Sequence, residues 1–268
     1  MAHISFSELK NWSHCPHYHK LVHIDKLKGF LGNEYTAFGT AIHDVCEYSM
    51  LFQKEAAATP DEVGLLFEQQ FLKNLKELPQ EVREGLNKNL VTSMREQAKE
   101  IIPAVLPAVA DYFGEHEVVS TEEKIYVPIK EFDTKDYSFK GYIDLVVKTS
   151  DGKYHIIDWK TCSWGWDSKK KTEPMTTYQL TFYKHYFAHK HNIDPSNIET
   201  HFALLKRTAK KNRVEFFRVT SGKRKTENAI KLLVTALYNI TNKKYVKNRL
   251  ACRGPYGYCD FYNTEHCR

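Results

Sequence analysis

Long apolar runs, internal repeats and low-complexity stretches are all missing from this chain. No segment approaches the roughly 18 consecutive apolar residues that a membrane span requires, so no transmembrane segment is expected. Nothing like a signal peptide opens the sequence, which points to an intracellular, cytoplasmic setting in which disulfides are disfavoured. The phosphate-cradling pattern Gly-x-x-x-x-Gly-Lys-Ser/Thr is also absent, which excludes an intrinsic ATP-driven motor of that kind. Any helicase would have to be another chain. Cysteine is sparse: Cys15, Cys46, Cys162, Cys252, Cys259 and Cys267 are the six present.

What is present suits one substantial globular core: 268 residues, 42% hydrophobic and 13% aromatic. The formal charge of +6 is unevenly spread, with nine Lys or Arg and a single acid, Glu215, between Lys206 and Lys225. Lys169, Lys170 and Lys171 form a second basic run. Such surface suits a polyanion, and Trp164 and Trp166 beside it could stack on unpaired bases. A solvated positive face and core-capping tryptophans are the plainer readings.

Local signals give a coherent element order. Ser5 with Glu8 marks the start of a first helix, Thr36 is placed to cap a second, and Thr59-Pro60-Asp61 looks like the start of a third. The chain reads as helical to about Phe113, broken near Pro103 and Pro107. From Val118 it shifts to strands, over Val118–Val127, Tyr137–Lys148 and Lys153–Lys160, as an antiparallel meander joined by polar turns such as Thr149-Ser150-Asp151-Gly152. A helix carrying Gln179 follows, then strands over His201–Arg207 and Val214–Val219, and a long helix over Glu227–Tyr245. The fold class expected is α/β, a mixed central sheet flanked by helices, with a helical insert over about residues 56–115 within a single domain, 1–268.

The chemistry concentrates where strands end. Lys140-Gly141-Tyr142-Ile143-Asp144-Leu145 delivers one aspartate. Tyr154-His155-Ile156-Ile157-Asp158-Trp159-Lys160-Thr161 delivers Asp158 and Lys160 two residues apart, so pleating points both to the same side. Three other Asp-x-Lys triplets, beginning at Asp133, Asp151 and Asp167, sit in polar, turn-like surroundings and read as solvated loop charges. Only Asp158-Trp159-Lys160 ends an apolar run, where a buried carboxylate needs a compensating partner. A metal supplies one, and a structural ion pair supplies another. Upstream, Gly39, His43 and Glu47 lie at i, i+4 and i+8 on one helical face, glycine permitting close approach. Downstream, Gln179 and Tyr183 are four apart. Glu122 and Glu123 read as a strand-edge surface pair, and Cys46 and Cys162 as packing residues.

In this order the residues resemble the RecB-like branch of the PD-(D/E)xK nuclease superfamily, with its restriction-endonuclease-like fold. The match runs through Gly39-x-x-x-His43-x-x-x-Glu47, Gly141-Tyr142-Ile143-Asp144, Asp158-Trp159-Lys160 and Gln179-x-x-x-Tyr183. The opening helix ending in Cys15-Pro16, with Cys252, Cys259 and Cys267 in the tail, is similar to the iron-sulfur members of that branch, among them CRISPR-associated RecB-like exonucleases and phage relatives. The resemblance implies a tail packing back near Cys15, and a [4Fe-4S] cluster on Cys15, Cys252, Cys259 and Cys267. The spacing here is C-x6-C-x7-C where the family usually has C-x2-C-x5-C, and zinc or plain buried thiols stay open.

By the same resemblance, Mg2+ or Mn2+ would sit on His43, Asp144, Asp158 and the backbone carbonyl of Trp159, with Glu47 orienting His43 or binding through water. Lys160 would position water, and Gln179 and Tyr183 would orient the phosphate. Trp164, Trp166, Lys169, Lys170, Lys171, Lys206 and Arg207 would bind nucleic acid. The implied activity is metal-dependent DNA exonuclease action from single-stranded or processed ends, in recombination, repair or replication, with a helicase or recombination protein as a conceivable partner. A non-catalytic nucleic-acid-binding module and a restriction-type endonuclease are the alternatives.

Overall fold

The structure is a computed structural model that describes residues 2–52, 60–254 and 257–268. A short strand β1 (Ala2–Ser5) leads into α1 (Phe6–His14), the single-turn α2 (Pro16–His19) and a π-helical turn over Lys20–Ile24. Four helices follow: α3 (Glu34–Leu51), α4 (Pro60–Glu77), α5 (Gln80–Glu84) and α6 (Lys88–Phe113). Next come strands β2 (His116–Pro128), β3 (Tyr137–Thr149) and β4 (Tyr154–Cys162). The short α7 (Ser168–Thr172) and the long α8 (Pro174–His191) precede β5 (Ile198–Lys206) and β6 (Val214–Val219). The chain continues with α9 (Lys223–Thr241) and the small pair β7 (Arg253–Gly254) and β8 (Gly257–Tyr258).

Two compact units share this chain, one formed by Met1–Phe30, Ile125–Gly141 and Gly222–Arg268, the other by Leu31–Lys124 and Tyr142–Ser221. In the larger unit β4 is central, paired antiparallel with β3 (Leu145↔Ile157) and parallel with β5 (Ile157↔His201), while β6 closes the edge antiparallel to β5 (Phe202↔Phe217). Strand β4 is buried from His155 through Trp159, which is why it reads as one apolar run rather than an alternation. Leu145, Val147, Ile157, Trp159, Ala203 and Leu205 share a core with the helical insert, anchored by Phe38, Phe67 and Phe71 with ring centroids 5.4 to 5.8 Å apart. The result is a mixed α/β fold with a sheet flanked by helices.

In the smaller unit, β1 pairs parallel with the first residues of β3 (Ile4↔Phe139). Its four residues are too short to show a periodicity, and the sequence reading passes over it. Ser5 caps α1 by accepting from the Glu8 N–H at 3.2 Å. Buried His19 is tied back to Glu8 at 2.9 Å.

Three expectations change. Asn33, not Thr36, caps α3: the Asn33 side chain accepts from Tyr35 and Thr36 N–H groups, and Thr36 returns a bond from its hydroxyl oxygen to the Asn33 N–H. Helix α6 is not broken at Pro103 and Pro107: both prolines lie on its exposed side, where a helix can bend without burying unpaired carbonyls, while Ala98, Ile101, Val105 and Val109 stay buried. The last long helix starts and stops four residues earlier than read, at Lys223 and Thr241. Thr59 lies outside the described residues, and Pro60 opens α4.

Phe71 is fully buried between Phe38 and Phe67. Phe71→Ala should cost about 3–5 kcal/mol, read as a lowered urea midpoint at unchanged slope.

Candidate active site

The antiparallel ladder of β3 and β4 opens just after Leu145↔Ile157, and the next residues on the two strands are Asp144 and Asp158. Asp144 Oδ2 accepts the Trp159 backbone N–H at 2.7 Å, so a side chain takes the place of a ladder bond. Asp158 is almost wholly buried and forms an ion pair with Lys160, which pleating places on the same side. The same triplet that could have been only an ion pair is therefore one, yet its neighbours make it more than that.

Helix α3 brings His43 beside these acids, with Nδ1 at 3.6 Å from Asp144 Oδ2 and a hydrogen bond to the Trp159 backbone. Gly39, one turn before His43, faces the Thr161 side chain of β4, and a Cβ there would make ordinary contact with the Thr161 hydroxyl at 3.4 Å, so the glycine marks where helix and strand meet without being required by the packing. Glu47, one turn on, accepts from Thr121 Oγ1 at 3.1 Å. Helix α8, packed on β4 and β5, contributes Gln179 Nε2, which donates to the Tyr183 hydroxyl at 3.1 Å. Tyr183 is buried near both aspartates, and burial with their charge holds its hydroxyl protonated well above the ordinary phenol range.

The electrostatics are those of crowded acids. Burial lifts Asp144 to about 6 against the pull of Lys160 and the Trp159 N–H, with Glu47 adding to the rise. Burial likewise lifts Asp158 to about 6, opposed by Lys160 and reinforced by Asp144. Burial and Lys160 push His43 down to about 4, so its imidazole is neutral at pH 7 and free to act as a ligand.

Glu122 is exposed, in keeping with its reading as a surface residue, yet its carboxyl feels the charge of this group. Its backbone turns at φ 45°, breaking the strand alternation, and its carboxyl is raised to about 7 by partial burial and then by Asp144, Glu47, Asp44 and Asp158. Nothing in the sequence signals that turn. Glu123 behaves as expected, bridging Lys190 and His191.

The expected nucleic-acid contacts divide. Trp164 is 73% exposed, and Lys169 and Lys170 are exposed, Lys170 lying 4.7 Å over the Trp166 ring. Trp166 also meets Phe202 and Phe217 edge-on, so one face of it belongs to the core. Lys171 pairs with Glu215. Lys206 and Arg207 depart from expectation: each is 8% exposed, Lys206 held by Glu215 at 3.1 Å and Arg207 by Ser163 and Gln97 while stacked over Tyr35. Their charges serve the fold, and charge counting along the sequence could not show it. Of the other Asp-x-Lys triplets, Asp151 and Lys153 pair loosely at 3.8 Å beside a turn, and Asp167 caps α7.

In the smaller unit, Cys15, Cys252, Cys259 and Cys267 line one pocket together with Leu21, Phe261, Lys247 and Arg249. All six cysteines are free thiols. Cys46, fully buried, and Cys162, partly so, belong to the larger unit and do not line that pocket.

With this geometry in view, comparison with known proteins defines the class. The model of the PD-(D/E)XK nuclease superfamily matches residues 3–264, and the chain belongs to that superfamily, whose members use divalent metals. A crystal structure of a Eubacterium rectale protein, designated an exonuclease by name only, aligns at a TM-score of 0.59 with 12% identity, over 92% of this chain and 84% of that one, which supports the shared fold. A structure of SSO0001 aligns at 0.35 with 15% identity, over 76% and 86%, too distant to bear on it. No curated protein matches the chain. No helix among the described residues is long and apolar enough to cross a membrane.

A cation on Asp144 and Asp158 must displace their protons. Because both acids titrate near 6, Mg2+ binding should strengthen as pH rises from about 5 to 7 and release protons in that window, then level off. Calorimetry in buffers of differing ionisation enthalpy measures that release.

Proposed function

We propose that this chain is a metal-dependent deoxyribonuclease that removes nucleotides from DNA ends, single-stranded or processed, in recombination, repair or replication inside the cell. The observation that carries the reading is the convergence of His43, Asp144, Asp158 and Lys160 where the β3–β4 ladder opens. The family match over residues 3–264 supports treating the two units as one nuclease module.

The donor set fits a divalent cation of the Mg2+ or Mn2+ kind: two carboxylates raised by burial, a neutral imidazole and the Trp159 carbonyl beside it. Such an ion, when bound, neutralises the phosphodiester and lowers the pKa of water. The chain does the rest. Lys160 presents an ammonium next to Asp158, positioned to orient the attacking water and to offset charge growing on the phosphate. Tyr183, kept protonated and held by Gln179, offers a hydroxyl donor to a phosphate oxygen. Glu47 and Glu122 surround the acids with further carboxylates that hold water or orient His43. Exposed Trp164 would stack on an unpaired base, with Trp166, Lys169, Lys170 and the more enclosed Lys171 along the phosphate path. With no ATPase loop in the sequence, strand opening would fall to a helicase or recombination partner.

We further propose that Cys15, Cys252, Cys259 and Cys267 hold a [4Fe-4S] cluster. Their shared pocket tests the fit. The four thiols line it together with Leu21 and Phe261, an apolar surround of the kind that shields a multi-iron group from solvent. The Asn248 N–H donates to Cys15 Sγ at 3.4 Å, and Lys247 and Arg249 flank the pocket to offset thiolate charge.

Asp158→Ala and Lys160→Ala should each lower Mg2+-supported cleavage at least about a hundredfold with the fold retained, measured on linear single-stranded and duplex DNA. Wild-type rates from either folded variant would sink the assignment of that residue, and cutting of closed circles into discrete fragments would replace exonuclease with endonuclease. Anaerobically purified protein should be brown and contain four irons, as expected for a four-iron cluster, and Cys259→Ala should lose them. A colourless, iron-free and fully folded protein would remove the cluster.

A further inference from the structure

The parallel pairing of β4 with β5 sets three ligand-type side chains on one face of the sheet. His155 and Glu199 are register partners, and His201 lies two residues beyond Glu199 on the same side. His155 is three residues from Asp158, an odd separation in a strand, so the two point to opposite faces. One nitrogen from each histidine and one oxygen from Glu199 all lie within 4.8 Å of one another.

The surrounding contacts orient each group toward a common point. His155 Nδ1 faces His201 Nε2 at 3.1 Å and Glu199 Oε2 at 4.0 Å. The remaining ring nitrogens are held from behind, His155 Nε2 by Thr149 Oγ1 at 3.0 Å and His201 Nδ1 by the Tyr112 hydroxyl at 3.4 Å. That is the arrangement by which proteins fix the tautomer and angle of a metal-bound imidazole. The other oxygen of Glu199 is taken by Arg218 at 3.1 Å and Lys153 at 3.5 Å, which leaves Oε2 turned to the histidines. Both imidazoles are buried, and burial keeps them neutral, His201 down to about 3. Two nitrogens 3.1 Å apart would subtend roughly 95° at an ion bound at the usual Zn–N length.

We infer that His155, His201 and Glu199 form a second metal site, for a borderline-soft divalent ion of the zinc class. The ligands are two imidazole nitrogens and one carboxylate oxygen, with a further position open to water through the pocket lined by Tyr112, Thr149 and Arg218. Asp151 and Glu199 are balanced nearby by Lys153 and Arg218, so the site lacks the excess negative charge that Mg2+ or Ca2+ would need, and imidazole selects the later transition ions. A bound ion would pin β4 to β5.

The test is a zinc titration of the full-length protein, metal-stripped at labile sites and held in excess Mg2+ to occupy the carboxylate centre. Wild-type protein should bind one more equivalent of Zn2+ than His201→Asn or Glu199→Gln, and any uptake at the cysteines cancels in that difference. Each variant should bind that equivalent at least about tenfold more weakly, lose the zinc-induced rise in melting temperature, and keep Mg2+-supported cleavage within about twofold. Glu199→Gln decides the matter if His201→Asn does not fold. Equal zinc uptake by wild type and a folded Glu199→Gln variant overturns the site.

Discussion

Two carboxylates side by side in a buried place are the constraint around which the larger unit is organised. At pH 7, a shift from 3.8 to about 6 corresponds to roughly 3 kcal/mol of unfavourable environment for each ionised group. That cost is borne by a stable frame: β4 buried on both faces, an aromatic cluster behind it, and helix α3 packed beside it. Lys160 and the Trp159 N–H relieve only part of it. A cation held there, as proposed, would relieve more, and the same strain that weakens the metal-free protein would become affinity for metal.

The part of this design that is local in sequence was legible. Residue spacing of two places Asp158 and Lys160 together on a strand, and spacing of four places His43 with Glu47 and Gln179 with Tyr183 on helices. The apolar run that ends in Asp158-Trp159-Lys160 marked a strand whose carboxylate would be buried, as it is. What escaped depended on long-range register or on backbone conformation. His155 and His201 are separated by 46 residues, and only parallel pairing makes them neighbours. Glu122 turns at a positive φ that no residue pattern announces, and its exposed carboxyl still feels the charge of the acids. Lys206 and Arg207 look like a substrate-binding pair in a basic run, but Glu215 holds Lys206 inward and Ser163 with Gln97 holds Arg207.

The cysteines show the same division. Their identity and terminal placement were readable, and so was the opening helix that ends in Cys-Pro. Their convergence in one pocket follows from the folding back of the residues after α9, where Asn248 bonds to both Cys15 and His14. No helical or strand period encodes that return.

Parallel strands cannot be joined by a tight turn, so the chain leaving β4 must travel back along the sheet before entering β5. Helix α8 is that return journey, and it carries Gln179 and Tyr183. Topology thus separates the assembly of the site into two stages. The hairpin of β3 and β4 can bring the acids together on its own, while Gln179 and Tyr183 gain their full packing once Ile198–Lys206 lies beside β4. A nascent chain ending before Ile198 would hold both helices that face the acids, α3 and α8, but would leave the β5 side of β4 uncovered.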